Sequence, residues 1–185
     1  MGEHTDWSRV ARRIRVPLGF AFAGLYLWLA QPVWYSLLAG GVVAMAGLGL
    51  RAAASGHVRK NSQLTTTGPY AYTRNPLYLG SAIIAVGFAI AGRNGWIAVL
   101  LVAIFLVVYL PVVRAEERFL SAEFSEYAAY ARRVPRFGIR LRNSEAAGGA
   151  RFSAQLYRQH REYNAVIGAA AMMLALMMKM LWRHY

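Results

Sequence analysis

The chain has 185 residues and a mean hydropathy of +0.32; 57% of it is hydrophobic and only 16% is charged, against about a quarter charged in soluble globular domains. That balance excludes an ordinary soluble domain and points to a membrane protein. The net charge of +13 comes with no cysteine, so disulfides and thiolate metal sites are excluded, and no basic patch is interleaved with a nucleic-acid reading motif.

The N-terminus, MGEHTDWSRVARRIRVPLGF, sets basic residues before apolar ones but has no convincing small-residue cleavage site. Asp6 stands where a myristoylation signal carries Ser or Thr. Arg15 and Arg51 then bound 35 uncharged residues. As one helix these would run about 52 Å, well beyond a hydrocarbon core of about 30 Å. Gln31-Pro32 breaks the run, so a helical hairpin is predicted over 16–30 and 33–50. Its second arm carries Gly40, Gly41, Gly47 and Gly49, which permit close helix approach.

Next comes TTTGPYAYTRNPLYLG (65–80), a polar, Gly- and Tyr-rich loop that enters an uncharged run, Leu77 to Gly92, without a spacer. Arg93-Asn94-Gly95 predicts a turn, and Trp96 to Val113 a fourth span. The segment 114–133 reads as a helix leaving the membrane. Glu116, Leu120, Phe124 and Tyr127 recur at helical spacing, which puts Glu116 on the apolar face and Glu123 and Glu126 elsewhere. Val134-Pro135 ends that helix. RNSEAAGGA (142–150) reads as a flexible linker and 151–163 as a basic amphipathic, interfacial segment. Ala165 to Met178 is the last span, with Lys179 snorkelling toward Trp182.

The expected architecture is all-α: a single polytopic membrane domain over 1–185, with about five transmembrane helices. The hairpin 16–50 leads into a core over 60–137 and a C-terminal part over 138–185. Arg9, Arg12, Arg13 and Arg15 precede the first run. Arg51, Arg59, Lys60 and Arg74 lie between the second and third, and ten Arg lie between the fourth and fifth. Arg93, Lys179 and Arg183 fall on the other side. By the positive-inside rule the N-terminus is cytoplasmic, and all eight acidic residues share that side. Chemistry is expected there.

Two polar elements flank the third and fourth spans. One is Gly68-Pro69-Tyr70 with Arg74-Asn75-Pro76-Leu77-Tyr78-Leu79-Gly80; the other is Glu116-Glu117 followed by Leu120, Phe124, Tyr127, Tyr130 and Val134-Pro135-Arg136-Phe137. An antiparallel hairpin brings both to one face of the bilayer and makes a bipartite site. His4, His57, His160 and His184 have no metal-ligand spacing, and no metal is expected. Met172, Met173, Met177, Met178 and Met180 read as packing filler or lipid-facing side chains. Arg132, Arg133 and Arg136 read as headgroup contacts, Tyr72 as part of an aromatic belt, and His57 as a loop residue.

GPYAYTRNPLYLG together with EERFLSAEFSEYAAYARRVPRF resembles the isoprenylcysteine carboxyl methyltransferase and phospholipid methyltransferase family, over about residues 60–137. The resemblance implies an integral membrane enzyme that uses S-adenosylmethionine, with a cytoplasmic-face cofactor pocket lined by Gln63, Leu64, Thr65, Tyr70, Asn75, Pro76, Tyr78 and Glu116. Asn75 stands where the family has His; an amide keeps a donor and an acceptor but carries no proton near neutrality. Tyr70 or Tyr78 suits the sulfonium or adenine, Glu116 the ammonium or ribose, and Gly68 and Gly80 suit close backbone approach. A carboxylate acceptor is already anionic and needs only a cationic anchor, for which Arg114 and Arg74 are candidates. An amine acceptor needs a base, for which Glu117 is the candidate. The expected acceptor is a membrane-embedded, lipid-like or prenylated molecule methylated on a carboxyl group. Phospholipid N-methylation, a sterol-reductase-like protein and a non-catalytic membrane interaction protein are the alternatives.

Overall fold

The structure, a computed structural model, describes residues 21–58, 63–138, 140 and 152–182. The start of the first predicted span, the myristoylation reading and the linker 142–150 fall outside these residues. Every regular element among the described residues is helical. In chain order they are α1 (21–29), α2 (Trp34–Ser55), a 3-10 turn (Gly68–Ala71), α3 (Pro76–Gly92), α4 (Gly95–Ile104), a π-turn (Phe105–Tyr109), α5 (Leu110–Glu123), α6 (Tyr127–Arg133), α7 (Ala154–Gln159) and α8 (Tyr163–Trp182).

The break between α1 and α2 falls at the expected Gln31-Pro32, and Val33 after it is extended. Ser36 completes the start of α2: its Oγ accepts from the Val33 N–H at 3.1 Å and donates to the Ala91 carbonyl of α3 at 3.1 Å. From there α2 and α3 run antiparallel with their backbones in contact. Gly40 lies on Gly87 and Ala91, and Gly47 lies on Gly80 and Ile84, with no room for a Cβ at any of these four glycines. Gly41 and Gly49, on the other face of the same helix, meet open space. The glycine-rich arm thus serves helix packing as expected, through two of its four glycines. Gly80 is also accounted for here. It makes room for Gly47 and the stem of Arg51, which corrects its assignment to close cofactor approach.

Among the described residues, three helices are long and apolar enough to cross a membrane: Trp34–Ser55, the composite Gly95–Glu123 and Tyr163–Trp182. Pro76–Gly92, with 17 residues, is apolar but shorter. The expected fourth span and the helix beyond it are one continuous rod of 29 residues, about 43 Å long. It outruns a hydrocarbon core of about 30 Å, so its last turns stand in the interface. Pro111 explains the π-turn just before it. Proline has no N–H and its ring crowds the carbonyl four residues back; the chain widens by one residue, and the Leu110 N–H bonds to the Phe105 carbonyl instead. A second departure is that the helix expected over 114–133 breaks at Phe124, which is extended, so α5 and α6 meet at a corner. Its predicted end at Val134-Pro135 is where α6 ends.

The two ends of the bundle differ. At the end holding the Arg93-Asn94-Gly95 turn, Tyr26, Ala30, Ala91, Ile97 and Leu176 form a buried apolar cluster that Met172 and Met173 pack against. Asn94 closes this end: its side chain accepts from the Trp96 N–H and donates to the Leu29 carbonyl, each at 2.9 Å. Lys179 does not snorkel toward Trp182. Its Nζ donates to the carbonyls of Leu27, Trp28 and Ala30, which the break at Pro32 leaves without helical partners. The ammonium also meets the negative end of the α1 dipole. The opposite end of the bundle gathers Arg51, Arg74, Glu116, Glu117, Arg136 and Glu162.

Substituting Gly47 by Leu is expected to destabilise the detergent-solubilised protein by about 2 kcal/mol or more through overpacking, whereas Gly41→Leu stays within about 0.5 kcal/mol; thermal melting monitored by helical circular dichroism checks both. Lys179→Met is expected to cost about 1–3 kcal/mol, the worth of a charge-assisted hydrogen bond to carbonyls left unsatisfied, read by the same melt.

Candidate functional site

The loop 63–75 is folded by three local devices. Gly68 sits at φ +58, a left-handed conformation that a side chain resists, and lies against the His57 ring. Pro69 starts the 3-10 turn, where its missing N–H is no loss. Pro76 likewise opens α3. The loop is then tied to the segment after α6: Arg74 N donates to the Pro135 carbonyl at 2.9 Å, Arg140 N to the Tyr72 carbonyl at 3.0 Å, and Tyr130 Oη to the Tyr70 carbonyl at 2.7 Å. Leu64 packs with Tyr127, Tyr130 and Val134 in a second buried cluster. Leu64 therefore holds the loop down on α6.

Glu117 is the hub. The carboxylate is buried, and both its oxygens are occupied. Asn75 Nδ2 donates to Oε1 at 2.9 Å, with Arg74 Nη1 at 3.7 Å; Arg136 donates to Oε2 through Nε at 2.9 Å and Nη2 at 2.6 Å. Asn75 Nδ2 also reaches the Arg136 carbonyl at 3.2 Å. This settles the face of α5: Val113 and Glu117, four residues apart, point inward, and Glu116 is exposed. The sequence stripe had put Glu116 on the apolar face; the correction comes from a buried carboxylate that brings its own cations, which apolar periodicity does not register. Arg136 is likewise no mere headgroup contact. Its hydrogen bond to Glu117 and that carboxylate's charge hold the guanidinium pKa above its ordinary value.

Glu116 looks the other way, toward α3. Tyr78 Oη donates to Glu116 Oε1 at 2.9 Å. Behind Tyr78 an aromatic wall continues: Tyr109 edge-on at 5.9 Å, Phe105 stacked on Tyr109 at 5.8 Å, and Phe137 edge-on to Phe105 at 5.6 Å. The π-turn supplies both Phe105 and Tyr109. Tyr70 faces the same region. Burial first, then the neighbouring Tyr130, Glu116, Glu162 and Tyr78, push its hydroxyl pKa upward, which keeps it a neutral donor. On the far side of Glu117, α5 and its neighbours enclose an open cleft of about 490 Å³ lined by Arg114, Glu117, Arg118, Ser121, Tyr127 and Arg136.

The structure thus brings together Arg74, Asn75, Tyr78, Glu116 and Glu117, with Tyr70 adjacent and Arg114 on the cleft. Pro76 is buried in the first turn of α3, and Gln63 is exposed at the start of the loop. Thr65 lies between them on the same stretch. Sequence reasoning placed Tyr130 and Arg136 in the second polar element but read Arg136 as a headgroup contact, and it missed Arg118, Arg51 and Glu162. Arg136 was legible in principle, since Val-Pro must turn the chain and the next side chain falls beside the Glu pair. Arg51 and Glu162 lie 111 residues apart, and no spacing signals that pair.

A loop-helix junction at one end of an apolar bundle, with two adjacent carboxylates turned to different neighbours, is the candidate functional site. Residues 41–127 match the family model for phospholipid methyltransferases. Over 83 residues, 45% of this chain, it is 40% identical to a cobalt-zinc-cadmium resistance protein of Cupriavidus metallidurans and to a nickel-cobalt-cadmium resistance protein of Alcaligenes xylosoxydans xylosoxydans. The match covers 38% and 39% of those proteins, so less than half of either relative is represented. No solved structure matches the chain significantly.

Glu117→Gln leaves Arg74 and Arg136 without their counter-charge and is expected to destabilise by about 3–5 kcal/mol. Glu116→Gln, on the exposed side, is expected to leave the melting transition within about 0.5 kcal/mol of the parent.

Proposed function

We propose that the chain transfers a methyl group from S-adenosylmethionine to a membrane-embedded acceptor, and that the acceptor group is a carboxylate of the isoprenylcysteine type. The observation that carries the reading is the convergence of Tyr78 and Glu116 at 2.9 Å with Asn75 and Glu117 at 2.9 Å. It joins the loop 63–80 to α5 inside the family segment.

The residues present fit the cofactor. An aromatic wall of Tyr78, Tyr109 and Phe105 suits a sulfonium and an adenine ring. Glu116 has one oxygen held by Tyr78 and the other open to accept from an ammonium or a ribose hydroxyl. Tyr70 adds a neutral hydroxyl donor. When bound, S-adenosylmethionine supplies an electrophilic methyl group on a positively charged sulfur. The chain's own part is to place that group and the acceptor in line, and positioning of this kind carries much of the rate of a displacement.

Carboxylate methylation is supported by the state of Glu117. Its oxygens are taken by Asn75, Arg74 and Arg136, so it serves as a brace and is a poor general base. A carboxylate acceptor is already ionised near neutral pH and needs none. It needs cations, and the cleft beside Glu117 presents Arg114, Arg118 and Arg136. Arg74 Nε is the one buried side-chain polar atom among the described residues with no hydrogen-bond partner, a donor that an entering anion would satisfy. A second reading, N-methylation of an amine phospholipid, is favoured by the description of the matched family; there the exposed Glu116 would take the proton. The active face is read as cytoplasmic from the distribution of Arg and Lys. The two relatives named for metal resistance suggest growth under cobalt or cadmium as the setting in which a loss of this activity is felt.

Calorimetry in detergent is expected to detect S-adenosylmethionine binding, weakened about tenfold or more by Glu116→Ala through loss of a charge-assisted hydrogen bond. Labelled-methyl assays on a prenylcysteine analogue and on phosphatidylethanolamine then separate the acceptors. Label entering only the amine lipid overturns the carboxylate assignment; no binding of the cofactor to the parent chain overturns the enzyme reading.

A further inference from the structure

The family match ends at residue 127, yet the segment 152–162 folds back onto the head of the α2–α3 hairpin. The Phe152 ring lies directly on Gly56, where a Cβ would collide with it, and meets the His57 ring at 6.3 Å. Ser153 N donates to the Gly56 carbonyl at 2.9 Å. His160 Nδ1 is 3.2 Å from the Ser55 carbonyl. Glu162, in the turn before α8, then grips Arg51 with both oxygens, at 3.0 Å from Nε and 2.9 Å from Nη2. The pair is mostly withdrawn from solvent, with side chains 23% and 12% exposed.

Arg51 has a third hand. Its Nη1 donates to Ser81 Oγ at 2.5 Å and to the Leu77 carbonyl at 3.4 Å, and Ser81 itself donates to the same carbonyl at 3.1 Å. Leu77 is the residue before Tyr78. Gly80 bares the helix surface along which the Arg51 stem runs. The guanidinium therefore bridges the C-terminal segment to the first turn of α3, the turn that aims Tyr78 at Glu116. A planar guanidinium held bidentately on one edge presents its remaining N–H groups in a fixed direction, so the carboxylate sets where the third donor points.

We propose that residues 152–162 are a strap that shapes the methyl-donor pocket, and that Glu162 is its positioning residue, acting through Arg51 on the first turn of α3 and thereby on Tyr78. The proposal rests on the donor-pocket reading of the preceding subsection. The strap lies outside the matched family segment, so the support for the first turn of α3 comes from beyond that segment.

The test uses the full chain in detergent with S-adenosylmethionine as the probe. Glu162→Gln keeps the side-chain shape but removes the charge that orients Arg51. It is expected to raise the Kd, and the KM for the donor, about tenfold, the worth of one charge-assisted hydrogen bond, while kcat at saturating donor changes by less than about twofold, since the reacting groups are untouched. The exchanged pair Arg51→Glu with Glu162→Arg re-forms the ion pair but removes the guanidinium N–H that reaches Ser81 and the Leu77 carbonyl. It is expected to recover the parent melting temperature and keep the weakened donor affinity. Should Glu162→Gln fail to fold, Arg51→Lys retains the charge yet cannot serve Glu162 and the α3 turn together, and the same KM-only rise is expected. Parent-like affinity in Glu162→Gln overturns the proposal, as does recovery of affinity in the exchanged pair. A parent chain that binds no donor overturns the functional reading instead, a failure seen before any substitution is made.

Discussion

The backbone contact between α2 and α3 is the constraint on which the rest of the molecule depends. Lipid offers no hydrophobic drive to join two apolar helices, so they associate through close packing. Here Gly40 and Gly47 meet Gly87 and Gly80, with no side chain between the two backbones. That contact fixes the height of α3 against α2. It places Ser36 under the Ala91 carbonyl at one end and Arg51 beside Leu77 and Ser81 at the other. The buried charge cluster around Glu117 gathers at this second end. The short α3 begins at Pro76, so the loop before it stays close to the membrane surface, within reach of the rod Gly95–Glu123 as it emerges.

At that junction one carboxylate holds the architecture and its neighbour is left free. Glu117 ties three chain segments together: Asn75 and Arg74 from the loop, its own helix, and Arg136 from beyond the corner at Phe124. An unpaired charge in such a place would be costly, and a paired one is tolerated because its remaining lone pairs are also satisfied. Asn75 fits this role. An amide donates to the carboxylate and to the Arg136 carbonyl at once, without a proton that comes and goes with pH. Glu116, one residue earlier and about 100° around the helix, bonds only to Tyr78 among the described residues and keeps an accessible oxygen. Adjacent acidic residues thus face different neighbours, Glu117 the buried cations and Glu116 the Tyr78 hydroxyl.

Much of this was legible in the sequence, and the reasons differ from element to element. The spans announce themselves because apolar runs bounded by Arg, Pro32 and Arg93-Asn94-Gly95 have few alternatives; α3 begins one residue before its predicted start and ends where predicted. The meeting of the loop 63–80 with α5 followed from hairpin geometry alone. The orientation of the Glu pair did not. Periodicity scores apolar residues, and Glu117 is inside because of cations at positions 74 and 136 that periodicity cannot see. Pro111 lies within the expected fourth span, but only the structure reveals that the chain absorbs it as a π-turn. Lys179 was read as reaching for water, since its partners are carbonyls of a helix end about 150 residues away. The same distance blindness hid Arg51 and Glu162.

The wide turn at Phe105–Tyr109 makes the length of that stretch matter more than its chemistry. Each residue of an α-helix advances the chain by about 100°, so one surplus residue resets the azimuth of all that follows. Val113 and Glu117 point inward, and Glu116 toward Tyr78, only with that offset in place. Leu106, Val107 and Val108 face outward and can be exchanged for other apolar residues. Excising any one of the five would leave two sound helices, yet swing the acidic pair away from both of its pockets, so this short window tolerates spelling changes and not a change of reading frame in space.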